Sequence, residues 1–344
     1  MDAAFVTGAT GFVGANLVRV LLAEGFSVRA LARPGSPRGN LKGLPVEIHE
    51  GDLFSAGVLG AALQGVRFAF HVAADYRIWT PDPSQLYRTN IEGTRNVLKA
   101  AAAAGAERIV HCSSVAAVRP VHGKPADETS LYASERDVIG HYKKSKYLAE
   151  VAALELAARG LPVVVVNPSA PIGPYDAKPT PTGRIVVDFL NGRIPSYIDT
   201  GLNIVGVQDA ARGHLLAALK GRVGERYILG GENLRLKELF DILSEETGVP
   251  APRFKTPYAM AYAFGFLDTA RAKLFGVEPL APIDAVRMAR HYMWYDSSKA
   301  ARELGFKSRP ARQALAAAAR WFSENGYIKK PLRLKARSQD PVAA

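Results

Sequence analysis

The sequence predicts a doubly wound α/β fold, a parallel sheet covered by helices on both faces, followed by a smaller, mainly helical C-terminal domain. Two observations carry this. Up to residue 166, short β-rich runs alternate with helical patterns, as parallel strands joined by crossover helices require. Beyond Asn167 the alternation stops: five prolines fall between Pro168 and Pro181, and the later helical stretches are rich in alanine and aromatics.

Taken in order, Ala3–Thr7 reads as a buried strand and Phe12–Ala23 as a helix, with Val13, Leu17, Val20 and Leu21 on one face. Strands follow at 27–32, 46–50 and 68–72. A long helix over 84–103 is closed by Gly105, then come a fifth strand at 108–112, a helix over about 139–158 and a sixth strand at 162–166. Short strands recur at 203–207 and 226–229, and helices run from about 258 to 321. The domains expected are residues 1–168, with 202–231 returning to them, and a substrate domain made of 169–201 and 232–328. A basic, flexible tail covers 329–344.

The bulk composition fits this picture. With 48% apolar and 22% charged residues in 344, the chain can bury a substantial core and is not disordered as a whole. A single cysteine, Cys112, excludes an internal disulfide and any multi-cysteine metal site; the seven histidines show no ligand spacing, so no metal is expected. The start, MDAAFVTGATG, lacks a basic n-region, and the apolar run 257–267 is well short of the roughly 20 residues that span a bilayer, so a cytoplasmic protein is expected. The net charge of +12 is spread along the chain without a nucleic-acid-binding signature, and no nucleic-acid partner is expected. In the tail, Lys329, Lys330, Arg333, Lys335 and Arg337 face only Asp340. That pattern suits a solvated terminus or peripheral attachment to the inner, anionic face of a membrane.

The sequence TGATGFVG sets Gly8, Gly11 and Gly14 between the first strand and the first helix. A dinucleotide pyrophosphate needs backbone N–H groups and a helix N-terminus at close range, where side chains would obstruct it. Gly8 permits the tight turn, Gly11 the approach of the backbone, and Gly14 the packing of helix on strand. This position makes the sheet a Rossmann sheet and the ligand NAD(P). A ribose with a free 2′-hydroxyl is usually held by a carboxylate at the end of the second strand, which here ends in Ala32, Arg33 and Pro34. Arg33, helped by Arg38 or Lys42, would pair with a 2′-phosphate, so NADP(H) is preferred and NAD(H) is the alternative. Asp52, after the third strand, suits the adenine amine.

After the fifth strand come Ser113 and Ser114, and on the following helix Tyr142-Lys143-Lys144-Ser145-Lys146. Tyr142 and Lys146 are four apart and share a helix face. A tyrosine exchanges a proton with a carbinol oxygen only if a cation supports its phenolate, which Lys146 and an oxidised nicotinamide both offer. Ser114 would hold the same oxygen. A second YxxxK, Tyr295 to Lys299, lacks the strand and serine pair and reads as structural.

Together these residues resemble the extended short-chain dehydrogenase/reductase superfamily of NAD-dependent epimerase/dehydratase type: TGATGFVG, Asp52 in GDL, HVAA at 71–74, Asn90 in TNIEGT, the serine pair and YKKSK. Over most of the chain, the resemblance implies cofactor contacts from Thr10, Phe12 and Val13 in the glycine turn. It implies others from Leu53, Ala73, Ala74, Asn90, Tyr142, Lys146, Pro168 and Ser169. Three further segments, HVAADYRIWTPDP, KPTPTGRIVVDFLNGRIPSYIDTGLN and GERYILGGENL, are similar to the hopanoid-associated sugar epimerase family, itself similar to dihydroflavonol 4-reductases. This implies a small-molecule or lipid-linked substrate, the polyol or sugar side chain of a hopanoid, and a homodimer. Members read close to VHVDD where this chain has VGVQD at 205–209, which leaves open any role tied to that His or first Asp.

Arg33 favours an NADPH-dependent carbonyl reductase over an NAD-retaining sugar epimerase, and a non-catalytic dinucleotide-binding protein is the remote third reading. A sugar dehydratase would want a carboxylate beside Ser114, where Val115 and Ala116 stand. By position, Asp75, Tyr76 and Trp79 after the fourth strand and Ser169, Lys178 and Arg184 after the sixth shape the substrate pocket. Trp79 reads more readily as packing than as a lipid contact, and Arg184 also as a surface charge at a helix start.

Overall fold

A computed structural model describes residues 2–334. Its strands are β1 (Ala3–Thr7), β2 (Ser27–Ala32), β3 (Val46–Glu50), β4 (Phe68–His71), β5 (Arg108–Cys112) and β6 (Val163–Pro168), then β7 (Ala170–Ile172), β8 (Ser196–Tyr197), β9 (Gly201–Gly206), β10 (Arg226–Leu229), β11 (Glu232–Arg235), β12 (Phe254–Lys255) and β13 (Tyr292–Met293). The helices are α1 (Phe12–Ala23), α2 (Ala56–Leu63), α3 (Ser84–Tyr87), α4 (Gly93–Ala103), α5 (Gly140–Ala158) and α6 (Pro181–Leu190), then α7 (Val207–Lys220), α8 (Leu236–Thr247), α9 (Tyr258–Phe275), α10 (Ile283–Met288), α11 (Ser298–Leu304) and α12 (Ala311–Glu324).

The main sheet is seven-stranded in the order β10-β6-β5-β4-β1-β2-β3, and every neighbouring pair is parallel. Its central strands read as unbroken apolar runs because both faces are covered. Along β1, Ala4 and Val6 enter the core formed with Leu17 and Leu21 of α1 and Leu215 of α7. Phe5 points the other way, into the core formed with Leu63 of α2, Leu98 of α4 and Leu156 of α5. The period of two along a strand sends alternate residues to opposite faces, and each fully buried side chain of this size contributes roughly 2–3 kcal/mol. The two directions of winding meet between β1 and β4, where open α/β sheets bind ligands at their C-terminal strand ends.

A four-stranded sheet, in the order β11-β9-β13 with β7 on β9, joins α6, α8 and α12 around a separate core that includes Phe189, Phe240, Leu315 and Phe322. Several expectations shift here. The predicted strand 203–207 is Gly201–Gly206 and belongs to this smaller sheet, so the return to the main sheet begins with α7. The helix expected over 84–103 is interrupted by a π-helical turn at 88–92. The tail expected to be flexible starts in place: Leu332 and Leu334 pack on the C-terminal core, and the Arg333 N–H donates to the Thr247 carbonyl at 3.2 Å. Lys335, Arg337 and Asp340 lie outside the described residues.

Candidate active site

The glycine turn at the end of β1 leaves no room for side chains. Gly8 has φ +71°, and a Cβ on it would stand 2.7 Å from the Ala73 nitrogen. A Cβ on Gly14 would stand 2.1 Å from the Gly8 carbonyl oxygen, so helix and turn touch through backbone. Gly11 caps α1 without a side-chain hydrogen bond, and no acidic residue occupies the first turn. The N–H groups of Phe12, Val13 and Gly14 thus open a helix with no side-chain cap to compete for them, which suits an anion. Thr10 lies in the turn, and its carbonyl accepts a 3.1 Å hydrogen bond from the Asn40 amide, which also reaches the Tyr175 carbonyl at 3.0 Å. The sequence gives no hint of that brace, because its partners are far apart in the chain.

Arg33 follows β2 directly and is exposed, with no ion pair on its guanidinium among the described residues. Arg38 is engaged differently, paired with Glu50 at the end of β3. Asp52 is exposed after β3. Its carboxylate accepts from the Phe54 N–H at 2.9 Å and the Ser55 hydroxyl at 2.8 Å, and these bonds hold it below the usual carboxylate range. Leu53 is buried, with its side chain against Gly93 of α4.

From β1 to α5 a chain of hydrogen bonds ties the cofactor end to the tyrosine. Thr7 Oγ1 accepts from the Val72 and Ala73 N–H groups, both at 3.1 Å, and meets His71 Nδ1 at 2.8 Å. His71 Nε2 meets Thr94 Oγ1 at 3.0 Å, and Thr94 donates to the Asn90 carbonyl at 2.6 Å. Because Thr94 donates there, it accepts from His71, which is the neutral Nε2–H tautomer. Burial pushes that imidazole down to about 3, in keeping with neutrality. Asn90 sits in the π turn, a feature common at functional sites. Its Oδ1 accepts from the Asp75 N–H at 2.7 Å, and its Nδ2 donates to the Asp75 carbonyl and to Ser145 Oγ, both at 2.9 Å. Ser145 in turn donates to the Tyr142 carbonyl at 2.8 Å. Ala73 and Ala74 follow β4 and are half-buried, with the Ala73 backbone against Gly8.

Ser114 caps a short 3₁₀ turn, its Oγ accepting from the Ala116 N–H at 3.1 Å. Burial pushes the Tyr142 phenol up to about 12, with the neighbouring Ser114 hydroxyl opposing. Lys146 shares the helix face as expected, but its ammonium donates to the Cys112 carbonyl at 2.8 Å, and burial lowers its pKa. Ser114 thus follows β5 directly, and Lys146 is anchored on the same strand end through Cys112. Asn167 Nδ2 donates to the Ser114 carbonyl at 2.9 Å and to buried Glu150 at 2.5 Å, and Glu150 pairs with Arg226 at 2.7 Å. That support for the serine loop was not read from the sequence.

Pro168 ends β6, and the Ser169 N–H donates to the Leu229 carbonyl at 3.2 Å. The Ser113 and Ser169 hydroxyls are buried without a partner, two donors left for a ligand at the sheet end. Uncapped helix, glycine cradle, Arg33 and these hydroxyls fit a dinucleotide lying across the strand ends. Of the substrate candidates, Asp75 pairs with Arg77 at 2.5 Å, and the Tyr76 hydroxyl reaches the Lys178 carbonyl at 3.4 Å, so the loops after β4 and β6 meet. Trp79 is half-buried, and the side chains of Lys178 and Arg184 are exposed. In the second YxxxK, the Tyr295 hydroxyl reaches the Val115 carbonyl at 3.3 Å and Lys299 pairs with Glu225 at 2.6 Å, so each is engaged with other partners. In the divergent VGVQD, Gln208 and Asp209 both bind Arg309, at 2.8 Å each, and a Cβ on Gly206 would crowd Asp209.

Residues 4–230 match the model of the NAD dependent epimerase/dehydratase family. A Synechocystis protein named "Putative dihydroflavonol 4-reductase" is 47% identical over 95% of this chain and 96% of its own. Sterol demethylase protein B of Methylococcus capsulatus is 37% identical over 94% of this chain and 99% of its own. Among solved structures, a nucleoside-diphosphate-sugar epimerase from Pseudomonas aeruginosa superposes with a TM-score of 0.80 at 30% identity, covering 95% of this chain and 99% of that one.

Proposed function

The chain belongs to the NAD dependent epimerase/dehydratase family, enzymes of the extended short-chain dehydrogenase/reductase type, and on that premise we propose that it reduces a carbonyl with NADPH. The substrate we assign is the sugar- or polyol-like side chain of a hopanoid. The observation that carries the reading is Tyr142 on α5 with Lys146 one turn further on, its ammonium held on the Cys112 carbonyl at the end of β5, beside Ser114. A protonated phenol is the form that donates. Ser114 orients the carbonyl oxygen, Tyr142 gives it a proton, and Lys146, anchored on Cys112, supports the phenolate that results. Bound NADPH would supply the hydride. Arg33, free of any carboxylate, supports recognition of a 2′-phosphate. The lipophilic substrate class and the basic segment from Lys329 onward support attachment at the inner face of the membrane, and the family resemblance supports a homodimer.

A second reading, an epimerase that retains NAD, is favoured by the likeness to the Pseudomonas sugar epimerase. Denaturing the purified protein and identifying the released nucleotide separates the two. Stoichiometric NAD would sink the reductase reading. An empty protein that binds NADPH at least tenfold better than NADH, and loses that preference in Arg33→Ala, is the expected result.

A further inference from the structure

Helix α9 is built inside out for a surface helix. Its buried seam is small or polar, made of Ala261, Gly265, Asp268, Thr269 and Ala272. Gly265 lies so close to α10 that a Cβ would stand 2.9 Å from Val286 Cγ2. Asp268 and Thr269 accept the Ala281 and Ile283 N–H groups, both at 2.9 Å, and so fix the turn into α10. The bulky apolar side chains point the other way: Met260, Phe264, Phe266, Leu267, Leu274 and Phe275 are each between 54% and 78% exposed. Scattered exposed apolar residues are ordinary, but a contiguous face of this kind marks a docking surface.

Charge identifies the occupant. Between residues 251 and 291 stand Arg253, Lys255, Arg271, Lys273, Arg287 and Arg290 against Asp268, Glu278 and Asp284. Three of those cations are already paired, Arg271 with Asp268, Arg287 with Asp284 and Lys255 with Asp199, which leaves Arg253, Lys273 and Arg290 against Glu278. An apolar helix face in a net-basic segment matches an anionic bilayer surface, with the apolar side chains among the acyl chains and the cations toward the headgroups. A two-fold contact with a second copy would instead bring two net-positive patches together. Among the described residues no helix is long and apolar enough to cross a membrane, so α9 would lie in the interface.

We propose that α9 docks this protein on an anionic lipid bilayer. The docking rests on α9 itself; its use for substrate capture rests on the reductase reading above. The connection is short. Asp284 of α10 stands 3.0 Å from where a Cβ of Gly140 would be, and Gly140 opens the helix that carries Tyr142. The helix on the membrane is thus one element away from the tyrosine, and a substrate anchored by an apolar body needs to leave the bilayer only at its polar end.

The test is co-sedimentation of the full chain with vesicles of phosphatidylethanolamine and phosphatidylglycerol, and with phosphatidylcholine alone. Expected is binding to the anionic vesicles, weakened at least tenfold in the neutral double variant Phe264→Ser/Leu274→Ser, with NADPH affinity unchanged. In Phe266→Trp, fluorescence should shift to the blue and be quenched by brominated lipid. Absence of binding, equal binding by the double variant, or an unquenched Trp would overturn the proposal. So would a lipid-free dimer that the double variant dissociates. Loss of tail contacts cannot mimic the expected result, because the double variant keeps every charge. A wild-type protein that docks but does not bind NADPH refutes the reductase reading and leaves the docking intact.

Discussion

Lys143 stands next to Tyr142, yet its side chain takes a different course. It is buried, its Nζ meets Met293 Sδ at 3.7 Å, and no carboxylate pairs with it among the described residues. Burial pushes its pKa down to about 8 from an ordinary 10.5. The unfolded chain therefore holds this proton at pH values where the folded one has released it. Stability should rise with pH between about 8 and 10.5, by up to roughly 3 kcal/mol, and the cost of the buried charge is fully present below pH 8. Lys143→Met should remove that rise and stabilise the protein at pH 7; chemical denaturation of both proteins at pH 7 and pH 10 measures it. Spacing in YKKSK picks out Tyr142 and Lys146 because i and i+4 share a face. It says nothing of the position between them, whose surroundings are Met293 and the C-terminal elements.

At the scale of elements, the glycine turn was legible and the π turn was not. Gly14→Ala would drive a methyl group into the Gly8 carbonyl, a backbone atom with no rotamer to yield. We expect a loss of about 1–3 kcal/mol or more in stability and at least tenfold in NADPH affinity, read by denaturation and calorimetric titration. Retained affinity would mean that the turn does not carry the pyrophosphate. The π turn at 88–92 defeats periodicity because the flanking helices keep an apolar pattern through it, and a single wide turn does not break that pattern visibly. What it achieves is tertiary: it turns Asn90 inward to clamp Asp75 and Ser145 together. That the strand expected at 203–207 joins the smaller sheet has a similar cause. An apolar β-rich run identifies a strand but not which sheet it joins, and β9 pairs with β11, β7 and β13.

Across the whole molecule, Arg226 on the last strand of the main sheet reaches Glu150 on α5, and Glu150 holds Asn167, which holds the Ser114 carbonyl. Arg226 also donates from Nε to the Glu128 carbonyl at 3.0 Å. Glu150→Ala would strand a buried guanidinium and free the serine loop. The expected cost is about 3–5 kcal/mol in stability, with a fall in kcat at nearly unchanged NADPH affinity. Equal stability of variant and wild type would show that the pair bears no weight. Swapping both partners for apolar residues of similar size should restore much of the stability but not kcat, since the tie to Asn167 would still be missing.

Local sequence alone determined the parallel sheet, the glycine turn and the face shared by Tyr142 and Lys146. Strand period, helix period and the steric needs of a tight turn are all set by neighbours within a few residues. It could not determine that Lys146 rests on Cys112, that His71 and Asn90 link the turn to the tyrosine, or that α9 packs by its small residues and shows its large ones. Those outcomes depend on which distant groups meet: a buried polar atom must find a partner wherever the fold brings one, and a helix equally apolar all round has no preferred face until another element packs against it.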